Sequence, residues 1–137
     1  MTGIAGGLRF ALVGASDPVK HVPPKDRVAA DPTPGVHRER AIAVEGLWAG
    51  VARTDPATAS GWHHHGEYET SIYVVSGRLR MESGPGGREV IDAVAGDFLY
   101  VPPGAVHRES NPGDSESSIV VARAGHGPPT VNVEGPA

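Results

Sequence analysis

From Val36 to Arg123 apolar and polar residues alternate in short runs separated by Gly, Pro, Asn, Asp and Ser, the pattern of half-buried strands joined by tight turns. Ile42, Val44, Leu47, Trp48 and Val51 predict two strands between Val36 and Arg53, broken near Glu45-Gly46, with a loop over Asp55–Gly61. Glu69–Ser76 then reads as a strand with Ile72 and Val74 on one face and Ser71, Tyr73 and Val75 on the other. Gly77 turns the chain into Arg78–Glu82, where Leu79 and Met81 point inward and Arg78 and Arg80 outward. Further strands are predicted over Arg88–Val94, Phe98–Val101, Val106–Ser110 and Ser118–Arg123, divided by the turns Ser83–Gly87, Gly96-Asp97 and Pro102–Gly104 and the polar loop Asn111–Glu116. No window carries helix periodicity, and short strands at this even spacing predict a sandwich or barrel.

The two ends differ from this middle. Residues 1–35 hold Gly6-Gly7, Asp17-Pro18, Pro23-Pro24 and Asp31–Pro34, with few periodic apolar positions, and read as an irregular arm with one edge strand near Leu8–Val13. Residues 126–137 read as a Gly/Pro-rich tail, which leaves 36–125 as the folded domain. Composition agrees with strands: 17 Val stand against 5 Leu among 137 residues. The 32 Gly and Pro fall just under the share of about 25–30% at which disorder becomes the default.

Charge and cysteine content narrow the functional classes. The formal net charge is −4 and no basic run occurs, so nucleic acid is not an expected partner. With no cysteine, disulfide scaffolds, thiolate zinc sites and cysteine nucleophiles are excluded. No apolar stretch reaches the roughly 20 residues of a membrane span, and Phe10–Val13 is too brief for a secretory core, so a cytoplasmic location is expected.

The chemistry lies in the histidines. In Trp62-His63-His64-His65-Gly66-Glu67-Tyr68-Glu69, an extended backbone places His63 and His65 on one face, about 6.5–7 Å apart, with His64 turned away. Two imidazoles so placed can converge on one cation, although a solvated triple in a loop would read the same. Glu69 could add an oxygen ligand after the turn at Gly66. Further on, the corner Pro102-Pro103-Gly104 sets the register of a strand that opens with His107.

These residues resemble the cupin superfamily. Gly96–Asn111 matches the family's second motif, G-x5-P-x-G-x2-H-x3-N, at every position. The first motif, G-x5-H-x-H-x3,4-E-x6-G, is matched by His63, His65, Glu69 and Gly77 with two departures. The glycine before His63 is two residues away, at Gly61, and seven residues rather than six separate Glu69 from Gly77. Counting back from Gly77 puts Thr70 at the family's glutamate position, so Glu69 faces inward only across a one-residue bulge; otherwise His64 is the candidate fourth ligand. The resemblance spans about Gly61 to Asn111. It implies an all-β jelly-roll, or double-stranded β-helix, barrel with one divalent metal ion (Zn, Fe, Mn or Ni) held by His63, His65, Glu69 and His107.

For such a fold the expected function is a metal-dependent enzyme acting on an apolar small organic molecule, such as a polyketide-type cyclase. The alternatives are a dioxygenase of an aromatic or diketone substrate and a non-catalytic small-molecule binder. The apolar preference rests on an inner lining of Ile72, Val74, Leu79 and Met81 with no inward basic residue, while Tyr73, Phe98 and Tyr100 count as core or wall. His37 reads as a solvated loop residue. The irregular arm and the edges of an open sheet predict a homodimer.

Overall fold

The computed structural model of the protein describes residues 16–137 and the backbone of Thr2–Gly3 (β1) and Leu8–Arg9 (β2), which pair in parallel. The rest of the edge strand expected at Leu8–Val13 lies outside the described residues. Then follow β3 (Val28–Ala29), β4 (Val36–Val44), β5 (Gly46–Thr54), β6 (Thr58–Ala59) and β7 (His63–His64). The chain continues through β8 (Glu69–Ser76), β9 (Arg78–Ser83), β10 (Glu89–Val94) and β11 (Phe98–Val101). It ends with β12 (His107–Asn111), β13 (Ser117–Gly125) and β14 (Val131–Asn132). Only two single turns of 3-10 helix, Pro24–Asp26 and Pro85–Gly87, interrupt the strands among the described residues, and no helix there is long and apolar enough to cross a membrane.

Two antiparallel sheets face each other. One runs β10-β9-β12-β7-β14, with β6 added to β12; the other runs β11-β8-β13-β5-β4-β3. The strict alternation of the sequence fixes which residues lie between them: Ile72, Val74, Leu79, Met81, Leu99, Ile119 and Val121 are all buried. The expected inward face of β8 and β9 is therefore observed. Gly77 makes the turn between those strands at φ +79°, and a Cβ there would lie 2.7 Å from the Ser117 backbone, so only glycine fits both the conformation and the space.

Two expectations about the periphery change. Tyr73, Phe98 and Tyr100 are not core: they stand on the outer face of the second sheet, Phe98 73% exposed and its ring 4.9 Å from its cross-strand partner Tyr73. The alternation that buries Ile72 turns Tyr73 outward, and it outweighs the general tendency of aromatics to be buried. Second, the segment expected to be a tail supplies β14, which pairs with β7 beside the histidines. The arm, expected to hold loop or an edge strand, carries β3 at the sheet edge beside β4 and buries Thr33.

Candidate metal centre

β7 and β12 lie side by side, with His63 directly opposite His107 in the register. His65 follows β7 at the start of a turn closed by the Tyr68 N–H on the His65 carbonyl at 3.0 Å. On the other side the Pro102–Ala105 turn, with the Gly104 N–H donated to the Gly66 carbonyl at 2.8 Å, ties the two histidine-bearing loops together. The three rings close up with centroids 4.3–5.2 Å apart, and one ligand atom of each lies within 4.8 Å of the others. All three are buried, at 0–2% exposure.

The hydrogen bonds decide which nitrogen faces the centre. Nδ1 of His63 donates to the Gly61 carbonyl at 2.9 Å, Nδ1 of His65 to the Pro129 carbonyl at 2.7 Å, and Nδ1 of His107 to the Ala105 carbonyl at 2.9 Å. A proton fixed on each Nδ1 leaves each Nε2 as a lone pair, the tautomer a metal ligand needs. His107 Nε2 is buried without a partner, and His63 Nε2 accepts a hydrogen bond from Arg38 Nη2 at 3.2 Å. Burial pushes the His63 imidazole down to about 4 and lowers those of His65 and His107 as well, Arg123 adding to the effect at His65. The three rings are therefore neutral at pH 7, and these residues fit a divalent ion with three nitrogen ligands, provided that Arg38 yields its contact with His63.

Glu69 is not among the residues brought together. It is the outward residue at the start of β8, exposed, and accepts a hydrogen bond from Tyr100 Oη at 3.0 Å. No bulge at the start of β8 turns it inward: β8 keeps the register Thr70↔Val101 and Arg123↔Thr70, so Thr70 takes the inward position, 1% exposed, with its Oγ1 unpartnered. His64 points away from the cluster, and its Nδ1 accepts the Gly66 N–H at 2.9 Å. His37 is exposed and paired with Asp55 at 3.1 Å. Asn111, the last residue of the second motif, is structural: its Nδ2 donates to the Thr54 and Ser115 carbonyls, pinning the end of β12.

Three buried charged residues around the histidines escaped the sequence reading. Glu109, two residues beyond His107, shares its inward face and is 3% exposed. Burial alone would raise its carboxyl, but His63, Arg38, His107 and Arg123 outweigh that and hold it below the ordinary carboxylate range. Arg123 follows Ile119 and Val121 on the inner face of β13, 1% exposed, its guanidinium 4.2 Å from the Trp48 ring centre. Arg38 follows Val36 on the inner face of β4 and donates to the Asp31 carbonyl at 2.8 Å and to Thr33 Oγ1. The expectation of an interior without basic residues is therefore corrected. Period-two alternation pointed to all three; the general rule that charges lie outside hid them.

Residues 50–123, more than half of the chain, match the Cupin domain family. The chain belongs to the cupins. No curated protein matches its sequence. Among solved structures this cupin is similar to a Klebsiella pneumoniae protein with a double-stranded β-helix domain: 22% identity, TM-score 0.65, covering 77% of this chain and 90% of that one. It is also similar to KdgF from Halomonas sp., at 19% identity and TM-score 0.63, over 78% of this chain and 96% of that one. A third is Bacillus subtilis oxalate decarboxylase, a protein with Mn(II) centres, at 21% identity and TM-score 0.64; there 72% of this chain covers 28% of the other, so the cupin spans under a third of that protein. At these identities the likeness is one of fold.

Proposed function

We propose that this cupin is a metal-dependent enzyme acting on a small organic molecule. The observation that carries the reading is the set of three buried imidazoles whose Nδ1 protons are all tied to backbone carbonyls, which leaves the three Nε2 unprotonated in a cluster whose ligand atoms lie within 4.8 Å of one another. A divalent ion bound there supplies Lewis-acid polarisation of a carbonyl, or one-electron chemistry if the ion is redox-active. His63, His65 and His107 would hold it, and the carbonyls of Gly61, Pro129 and Ala105 orient the rings. The apolar wall of Ile72, Val74, Leu79 and Met81 excludes water from the reacting centre.

Polyketide-type cyclisation and dioxygenation of an aromatic or diketone substrate are the specific options within that reading. Size favours small substrates: the cleft that reaches His107, lined by Met81, Ser83, Leu99 and Ala105, holds about 50 Å³. Two larger concavities, near 500 Å³, are lined by Pro32, Val36 and His37, one of them also by Arg38 and the other by Asn132. A non-catalytic binder is the second reading, favoured by the near-complete burial of the histidines. Metal analysis combined with turnover on diketone, flavonoid, polyketide and small carboxylate substrates tests the proposal. About one ion per chain and turnover lost on chelation is the expected result. A loaded protein that binds one of these compounds without converting any supports the binder, and failure to take up a divalent ion overturns the metal.

The homodimer belongs to the same proposal. Ile42, Val44, Leu47, Tyr73, Val75, Phe98, Tyr100 and Val120 are exposed together on the outer face of the second sheet, an apolar surface that a second copy could cover. Light scattering that gave a 14 kDa particle at tens of micromolar would remove it. A cytoplasmic setting is likewise proposed, and cell fractionation tests it.

A further inference from the structure

His63, His65 and His107 are sealed from solvent, so an ion can reach them only through an opening in the wall. The cleft at His107 holds about 50 Å³, room for a few water molecules. An octahedrally hydrated divalent ion brings about six. Part of the wall therefore has to move for the site to load. One segment is held less firmly than the rest. Past β13 the chain turns at Gly125 and Gly127, at φ +144° and +93°, and runs through Pro128-Pro129 into β14. Two glycines in conformations that other residues avoid make a hinge, and two prolines stiffen what swings on it. None of residues 125–137 is buried, whereas His107, Glu109 and Asn111 of β12 all are. The two-residue β14 pairs with β7 on one side and with no strand on the other among the described residues.

This lightly held segment is nevertheless tied to two of the three histidines. The Pro129 carbonyl accepts from His65 Nδ1, and the Val133 N–H donates to the Trp62 carbonyl at 3.0 Å. Asn132 reaches across to the arm: its Nδ2 donates to the Pro32 carbonyl at 3.2 Å, and its Oδ1 lies 3.5 Å from the Thr33 hydroxyl. Thr33 in turn accepts from Arg38, whose Nη2 sits on His63 Nε2. Thr33 also bridges to Val36 at the start of β4, in the facing sheet, so its contact with Asn132 closes a seam between the two sheets. A concavity of about 490 Å³ lies at this seam, lined by Pro32, Thr33, Val36 and Asn132. It is large enough for a hydrated ion, as the cleft at His107 is not.

We infer that residues 128–133 are a hinged strap, and that the seam between Asn132 and Thr33 is the door through which a divalent ion enters and leaves the histidine centre. The inference rests on the metal reading and adds its route of loading. Undocking of the strap removes the acceptor from His65 and loosens the Thr33 contact that holds Arg38 against His63. Re-docking returns the Pro129 carbonyl to His65 once the ion is seated.

The chain has no cysteine, so one engineered disulfide can lock the seam. In the double variant Thr33→Cys, Asn132→Cys the rate of Co(II) uptake by the full chain is followed by stopped-flow absorbance, and the final content by metal analysis. The oxidised protein is expected to load roughly tenfold or more slower than the same variant reduced and capped with iodoacetamide, and to reach the same content in the end. Asn132→Ala, which unlatches the seam without a crosslink, is expected to load roughly three- to tenfold faster than the parent, the worth of about one hydrogen bond. Should the disulfide not form, Asn132→Ala decides alone. Oxidised and capped proteins that load at one rate, or an Asn132→Ala variant that loads no faster than the parent, overturn the door and leave the metal reading standing. A parent that takes up no divalent ion overturns both.

Discussion

The sheet that carries β7 and β12 brings His63 and His107 to the centre as neighbours in register, on strands only two and five residues long. The facing sheet, with its nine-residue strands β4, β5 and β13, contributes Arg38, Thr70 and Arg123. Neutral acceptors stand on the first wall and cations and a hydroxyl on the second, with Glu109 on the first as the anion that both arginines feel. The difference follows from how each wall is built. Short strands ended by turns leave carbonyls of Gly61, Ala105 and Pro129 free to take the Nδ1 protons, whereas a long ladder has its carbonyls occupied and offers only side chains. A site that needs oriented lone pairs therefore sits at loop ends, and charged groups that need only burial sit in the ladder.

The charge relation between the walls breaks most sharply at Glu109. Glu109→Gln leaves Arg38 and Arg123 without a fully buried counter-charge, the part-exposed Asp31 being what remains, and a loss of about 3–5 kcal/mol is expected in denaturant unfolding. A loss under about 1 kcal/mol would show that the carboxylate does not compensate the arginines.

His107→Ala attacks the first wall alone. His63 and His65 come from one loop and cannot enclose an ion, so metal affinity is expected to fall by on the order of a hundredfold or more. Metal analysis after dialysis checks this, and unchanged content would move the site elsewhere.

Acidification sharpens the contrast without mutation. The native pKa of His63, about 4, lies below its unfolded value of roughly 6.5, and His65 and His107 are shifted in the same direction. The unfolded chain thus binds protons first as pH falls below about 6.5. Stability of the metal-free protein is full above that pH and is lost toward pH 4, by up to about 1.4 kcal/mol per pH unit for each histidine. Chemical denaturation at pH 7.5, 6 and 5 measures it; a flat profile would mean that the rings are not buried neutral. Glu109, held low, adds to the loss only below its own unfolded value of roughly 4.3.

The smallest effect belongs to the outer face. Glu69→Gln is expected to leave metal content unchanged and stability within about 0.5 kcal/mol, since the exposed carboxylate bonds only Tyr100. A clear drop in metal affinity in that variant would bring Glu69 back into the centre.

The positions of β8, β9, β11 and β12, the inward facing of Ile72, Val74, Leu79 and Met81, and the same-face pair His63 and His65 were all legible in the chain. Each is a consequence of local backbone geometry: alternation along a strand, and turns at Gly77 and Pro102–Gly104. The count from Gly77 also pointed to Thr70, because an unbroken strand allows no choice of face. Tertiary structure alone decided the rest. Whether His107 meets His63, which carbonyls take the Nδ1 protons, and that Pro129 in the apparent tail is one of them depend on contacts between segments up to 64 residues apart. Arg38, Glu109 and Arg123 could be assigned to inner faces by alternation. Their burial became tolerable only where the closed barrel set the opposite charges within reach, an energy that belongs to the assembled interior and to no stretch of sequence.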